Sequence, residues 1–138
     1  MWTQKLLVTQ INMLYITEII GTVFCLLSVI LGAFGSHYLK NKMTQTEIQS
    51  FEIGVKYLIY HGLSLLIISQ LYLDITIWIS VLITVGTILF SFSIFFLSTQ
   101  TLFNKNLKIL GPITPLGGLL IIIGWFLLLL EFLATYLN

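Results

Sequence analysis

Charged positions are so sparse along this chain that they divide it into four long uncharged stretches, residues 19–39, 57–73, 75–104 and 109–130. Their lengths are 21, 17, 30 and 22 residues. An α-helix rises about 1.5 Å per residue, so roughly 20 apolar residues cross about 30 Å of hydrocarbon. Each stretch is long enough to span a bilayer, the second only just. The pattern predicts an all-α, polytopic membrane protein, a four-transmembrane-helix bundle with spans near residues 17–39, 54–73, 76–98 and 112–133, and a tight turn at Asp74.

The connections carry their own signals. Thr44 followed three residues later by Glu47 is a capping-box pattern, and Ile48, Phe51 and Val55 recur at helical spacing. A short amphipathic helix therefore starts between spans one and two and runs into span two. On it, Glu52 precedes Lys56 by four residues, the favourable order for a helical pair. At the N-terminus, Leu7, Ile11 and Leu14 at helical spacing, with Trp2 and Lys5 nearby, predict an interfacial lead-in over residues 1–15 ahead of a single membrane domain over 16–138.

Small and polar residues form stripes within the spans. Gly21, Cys25, Ser28, Gly32 and Gly35 in span one are spaced by three and four, and Ser80, Thr84, Thr87 and Ser91 repeat this in span three. Span four adds Gly117 and Gly124 one heptad apart. Lipid tails are as apolar as leucine, so helices in a bilayer associate largely through close backbone approach over small residues. These stripes read as packing seams of a left-handed bundle. An aqueous path along the hydroxyls of span three is the alternative. Ser and Thr do not require one, because they can bond back to their own helix.

Composition sharpens the picture. Of 138 residues 58% are hydrophobic and 8% charged, against about 25% charged in an ordinary soluble domain. Six lysines, no arginine and a net charge of +1 offer no phosphate-binding patch, which excludes nucleic-acid binding. Cys25 is the single cysteine, which excludes a disulfide framework. Lys40, Lys42, Lys56, Lys105 and Lys108 fall between spans one and two or three and four, against Lys5 alone on the other side. By the positive-inside rule the loops at 40–56 and 104–111 are expected to be cytoplasmic and both termini outside, in a bacterial reading the periplasmic or extracellular face.

Several strings, taken in order, resemble one family. They are Leu31-Gly32-Ala33-Phe34-Gly35-Ser36-His37, Tyr57 with His61-Gly62-Leu63-Ser64-Leu65-Leu66, Leu89-Phe90-Ser91-Phe92-Ser93, and Ile113-Thr114-Pro115-Leu116-Gly117-Gly118 before Gly124-Trp125. The set is similar to the YgdD/YwdK-like small membrane proteins, a domain of unknown function (423; transmembrane protein 256-like) whose usual strings are GAFGAH, HALALL, LFSGS and ITPLGG before GW. Ser36 replaces the usual Ala, Phe92 a frequent Gly, and Lys56-Tyr57-Leu58 an Arg-Tyr-Gln string. The resemblance covers roughly residues 20–130. It implies a four-helix bacterial inner-membrane protein and supplies no activity.

Candidate chemistry is confined to one set of polar residues, His37, His61, Glu52, Lys56 and Thr114, expected to form a cluster at the cytoplasmic boundary. Imidazole titrates near neutrality, so a facing histidine pair can relay protons or cap neighbouring helices. No Cys or carboxylate accompanies the histidines at a ligand spacing, so no metal or other cofactor is expected. Ser36, Ser64 and Ser91 lack a nucleophile motif, so no catalytic residue is assigned. Thr114 directly before Pro115 is expected to be the N-cap of span four, where the free amides beside Lys105 and Lys108 also suit a lipid phosphate. The leading reading is a structural or accessory membrane protein, in contact with lipid and with itself or a larger complex. The alternatives are an oligomeric carrier of a small solute, lipid or protons, and an intramembrane enzyme using His37, His61 and Glu52.

Overall fold

The computed structural model describes residues 2–71 and 75–137, with side chains from residue 12 onward. The turn expected at Asp74 and the side chains of Trp2, Lys5, Leu7 and Ile11 lie outside the described residues. Helix α1 runs Trp2–His37, α2 Gln45–Ile68, α3 Thr76–Thr87, α4 Ser93–Thr99 and α5 Ile113–Leu137. A π-helical turn, Ile88–Phe92, joins α3 to α4 so that the three pieces form one spanning rod. Among the described residues, four helical segments are long and apolar enough to cross a membrane: Asn12–Asn41, Gln45–Ile68, Thr76–Phe103 and Lys108–Leu137.

Helix α2 begins where its sequence says it should. Thr44, in extended conformation, accepts from the Glu47 backbone N–H, and the Glu47 carboxylate accepts from the Thr44 N–H at 2.8 Å. This satisfies donors that a helix start otherwise leaves unpaired. The amphipathic first turns continue without a break into the second span. The other Glu47 oxygen accepts from the Thr101 hydroxyl at 2.8 Å, which ties the two loops at this end of the molecule together.

The helices pack in the order α1, α2, α3 with α4, then α5, so α2 and the third rod are central and α1 and α5 are the edges. Register between α1 and α2 is antiparallel and constant. Glu18 accepts from the Gln70 side-chain amide at 2.7 Å, Gly21 abuts Gly62, Gly32 lies over Val55 and Gly35 over Phe51. The core between them and the third rod is built by Phe24, Phe51, Leu58, Leu65, Ile68, Ile79, Ile83 and Phe95. Outside it, α1 presents Leu26 and Val29 and α5 presents Ile122 and Phe126, all more than half exposed. Such faces suit hydrocarbon and not water.

Candidate functional site

Two glycine crossings bring the backbones together. A Cβ built on Gly21 would lie 2.8 Å from the Gly62 carbonyl oxygen, and one on Gly62 would lie 2.9 Å from Cys25 Sγ. At the second crossing, a Cβ on Gly86 would lie 2.8 Å from the Gly117 carbonyl oxygen and one on Gly124 2.8 Å from Ile83 Cγ1. Only glycine allows this approach, and the contact area so gained replaces the hydrophobic drive that lipid removes.

His61 sits beside the first crossing and reaches toward the second. It is 5% exposed. Its Nδ1 is 2.8 Å from the Tyr57 carbonyl oxygen, and Trp125 Nε1 on α5 is 3.3 Å from its Nε2. An indole N–H only donates and a carbonyl only accepts, so Nε2 is the acceptor and Nδ1 carries the proton. These partners assign the neutral tautomer. The Tyr57 ring lies 4.5 Å from Phe90 in the π turn and 5.7 Å from the imidazole, which is 6.3 Å from Trp125. Three spans thus meet at one aromatic and imidazole cluster. With both nitrogens engaged, its evident work is to hold α5 against α2.

The five residues expected to form one polar cluster are not brought together. His37 is exposed at the end of α1, whereas His61 lies level with Cys25 across the Gly62 contact. Twelve positions separate Cys25 from His37, roughly 18 Å along a helix. Helix α2 starts at Gln45, as the capping box predicts, and its register against Gly21 and Cys25 puts His61 four turns inside the helix, deeper than the boundary position expected for it. Glu52 and Lys56 are exposed, and neither is a partner of His61. Thr114 lies within the first turn of α5, which begins at Ile113, so it is not the N-cap. Its Oγ1 instead shares a hydrogen bond of 2.7 Å with Ser93 Oγ, joining α5 to α4.

The seam residues divide more finely than their spacing suggests. Gly21, Ser28, Gly35, Ser80, Thr87, Ser91, Gly117 and Gly124 are buried, while Cys25, Gly32 and Thr84 are half-buried. Ser28 Oγ donates to the Cys25 carbonyl at 2.8 Å. Among the described residues, the hydroxyls of Ser80, Thr87 and Ser91 have no hydrogen-bond partner, although back-bonding to the preceding turn was open to them. Ser91 lies within the π turn and Thr87 directly before it.

Sequence reading missed four residues that matter here: Gly54, Gly62, Gly86 and Trp125. A Cβ on Gly54 would lie 2.6 Å from Phe95 Cε1, so this glycine is the seat for the Phe95 ring. Gly54, Leu58, His61 and Leu65 occur at spacings of four, three and four, a stripe as regular as the one in span one. Trp125 had a signal too, because an indole N–H placed in a spanning helix seeks an acceptor, although the side chain itself stays 42% exposed.

The chain matches the family described as "Protein of unknown function (DUF423)" over residues 31–118. It is 37% identical over 116 residues to a UPF0382 membrane protein of Staphylococcus haemolyticus, covering 82% of this chain and 91% of the relative. A UPF0382 membrane protein of Staphylococcus aureus is 38% identical over 115 residues, with 81% and 90% covered. The UPF0382 membrane protein YwdK of Bacillus subtilis is 38% identical over 115 residues, with 80% and 89% covered. No solved structure matches the chain.

Proposed function

The chain belongs to the DUF423 family of membrane proteins, and from that premise we propose that it is a structural or accessory protein of the bacterial cytoplasmic membrane, acting through helix contacts on its edge helices. The observation that carries this reading is how the apolar surface is divided. Glycine crossings and the His61–Trp125 link close the interior, while α1 and α5 keep large apolar side chains such as Ile19, Val29, Ile122 and Phe126 open along one face each. Residues 16–138 form the membrane domain in this reading, with residues 1–15 as an interfacial lead-in. The loops at 40–56 and 104–111 are cytoplasmic.

Photo-crosslinking residues placed at Leu26 and Phe126 in living membranes test the proposal. A discrete protein adduct at either face, identified as a second copy or a larger membrane protein and reproduced from the partner's side, is the expected result. Lipid adducts alone at both faces would overturn it.

A further inference from the structure

A groove of about 380 Å³ opens between α1, α2 and α4 at the end of the molecule where the lysine-bearing loops lie. Its volume falls in the range of small-molecule sites, about 300–1,000 Å³. Its inner wall is apolar, formed by Leu31, Phe51 and Phe95, and Phe34 and Phe96 frame a lateral mouth. Phe34 is 46% and Phe96 54% exposed, apolar surface of the kind that suits hydrocarbon. From Leu31 to Tyr38 the groove runs seven positions along α1, about 10 Å toward the membrane boundary. At that end Tyr38, Lys42 and Thr99 add polar groups beside Leu39, Leu102 and Phe103.

Lys42 supplies the charge. Its Nζ donates to the Tyr38 hydroxyl at 2.6 Å and stands 4.1 Å from the centre of the Tyr38 ring. Among the described residues it makes no ion pair with a carboxylate. The nearest loop carboxylate in sequence, Glu47, is engaged with Thr44 and Thr101. A fixed, unneutralised ammonium therefore sits over the polar end of a groove whose other end faces acyl chains. We propose that this groove is a binding site for one anionic phospholipid, with an acyl chain along Leu31, Phe51, Phe95 and Phe96 and its headgroup phosphate on Lys42 and the Tyr38 hydroxyl. The arrangement matches charge to charge and tail to apolar wall, and juxtamembrane lysines attract anionic headgroups. It does not depend on the accessory role proposed for the edge helices, since neither Leu26 nor Phe126 lines it.

The test uses the full chain in phosphatidylcholine vesicles containing chain-spin-labelled phosphatidylglycerol or chain-spin-labelled phosphatidylcholine. A motionally restricted component should favour phosphatidylglycerol. Lys42→Ala should reduce that preference about fivefold, the worth of one lysine near a membrane surface, whereas Lys108→Ala should leave it unchanged. Leu31→Trp, which fills the apolar wall, should remove the tight component although Lys42 remains. Lys42 is exposed, so its variant keeps the test sound if the Leu31 variant does not fold. Equal restriction of both lipids, or a preference indifferent to Lys42, would overturn the site. So would displacement by millimolar inorganic phosphate, because the acyl chain would then contribute nothing. Disulfide cross-linking of copies through Phe96→Cys in a Cys25→Ser background, with no restricted lipid, would assign the groove to a second copy and sink the lipid proposal.

Discussion

A methyl group added at Gly117 would meet the backbone of Phe90 and, at 2.7 Å, the carbonyl oxygen of Gly86. Neither belongs to a side chain that can rotate away. At Gly118, one residue along α5, the same methyl would meet only the Phe90 ring, at 3.6 Å and 3.7 Å, which is ordinary contact. Alanine also favours a helix over glycine by about 1 kcal/mol. Gly117→Ala should therefore cost about 1–3 kcal/mol, the usual toll of overpacking, while Gly118→Ala should be neutral or slightly stabilising. Thermal unfolding of the two purified variants in one detergent checks this. Similar melting temperatures would show that the α3–α5 crossing is not close-packed. The sequence displays both glycines in one string and does not distinguish them, since only the register of α5 against the π turn decides which one faces a backbone.

Among the elements, the helices themselves were legible because the solvent leaves few options. A backbone in hydrocarbon must satisfy its own hydrogen bonds, so apolar length alone predicts a helix. The α2 start was legible as well, from Thr44 and Glu47. Depth and rotation were not legible, including the level of His61 relative to His37 and the side of α5 on which Trp125 emerges. The π turn escaped too, because residues 88–92 are apolar or small and nothing in them breaks an α-helix. That turn bears on a prediction. A π turn accommodates one residue more than the surrounding α-helix, so deleting Leu89 should restore a plain helix and leave Phe95 over Gly54 and Ser93 near Thr114. Deleting Val85, within regular α-helix, instead rotates the segment before it by about 100° relative to the segment after it and takes Ile83 and Ser80 off the core. The Leu89 deletion should keep a cooperative melt within several degrees of the parent, and the Val85 deletion should lose it. An equally severe loss for both would show that the π turn is not a removable insertion.

At the scale of the whole molecule, the two ends of the helix array differ in kind. One end is marked by the Glu18–Gln70 hydrogen bond between α1 and α2, with Lys5 as the single lysine the sequence assigns to that side. The other gathers Lys40, Lys42, Lys105 and Lys108 on loops that Glu47 and Thr101 fasten together. Lysine-rich short loops are retained on the cytoplasmic side during insertion. With an even number of spans, both termini are then expected on the opposite face. Single cysteines at Asn41 or Asn106, in a Cys25→Ser background, should therefore be protected from an impermeant maleimide in intact cells and react once the membrane is opened. A cysteine at Leu137, which is 78% exposed, should react in intact cells. Labelling of Asn41 and Asn106 with protection of Leu137 would reverse the orientation, and labelling of Asn41 without Asn106 would break the pairing of the two loops at one end. Because Lys42 belongs to the same loop as Asn41, this experiment also fixes which leaflet the Lys42 groove opens onto, and so which leaflet should be enriched in anionic lipid when the binding measurement is made.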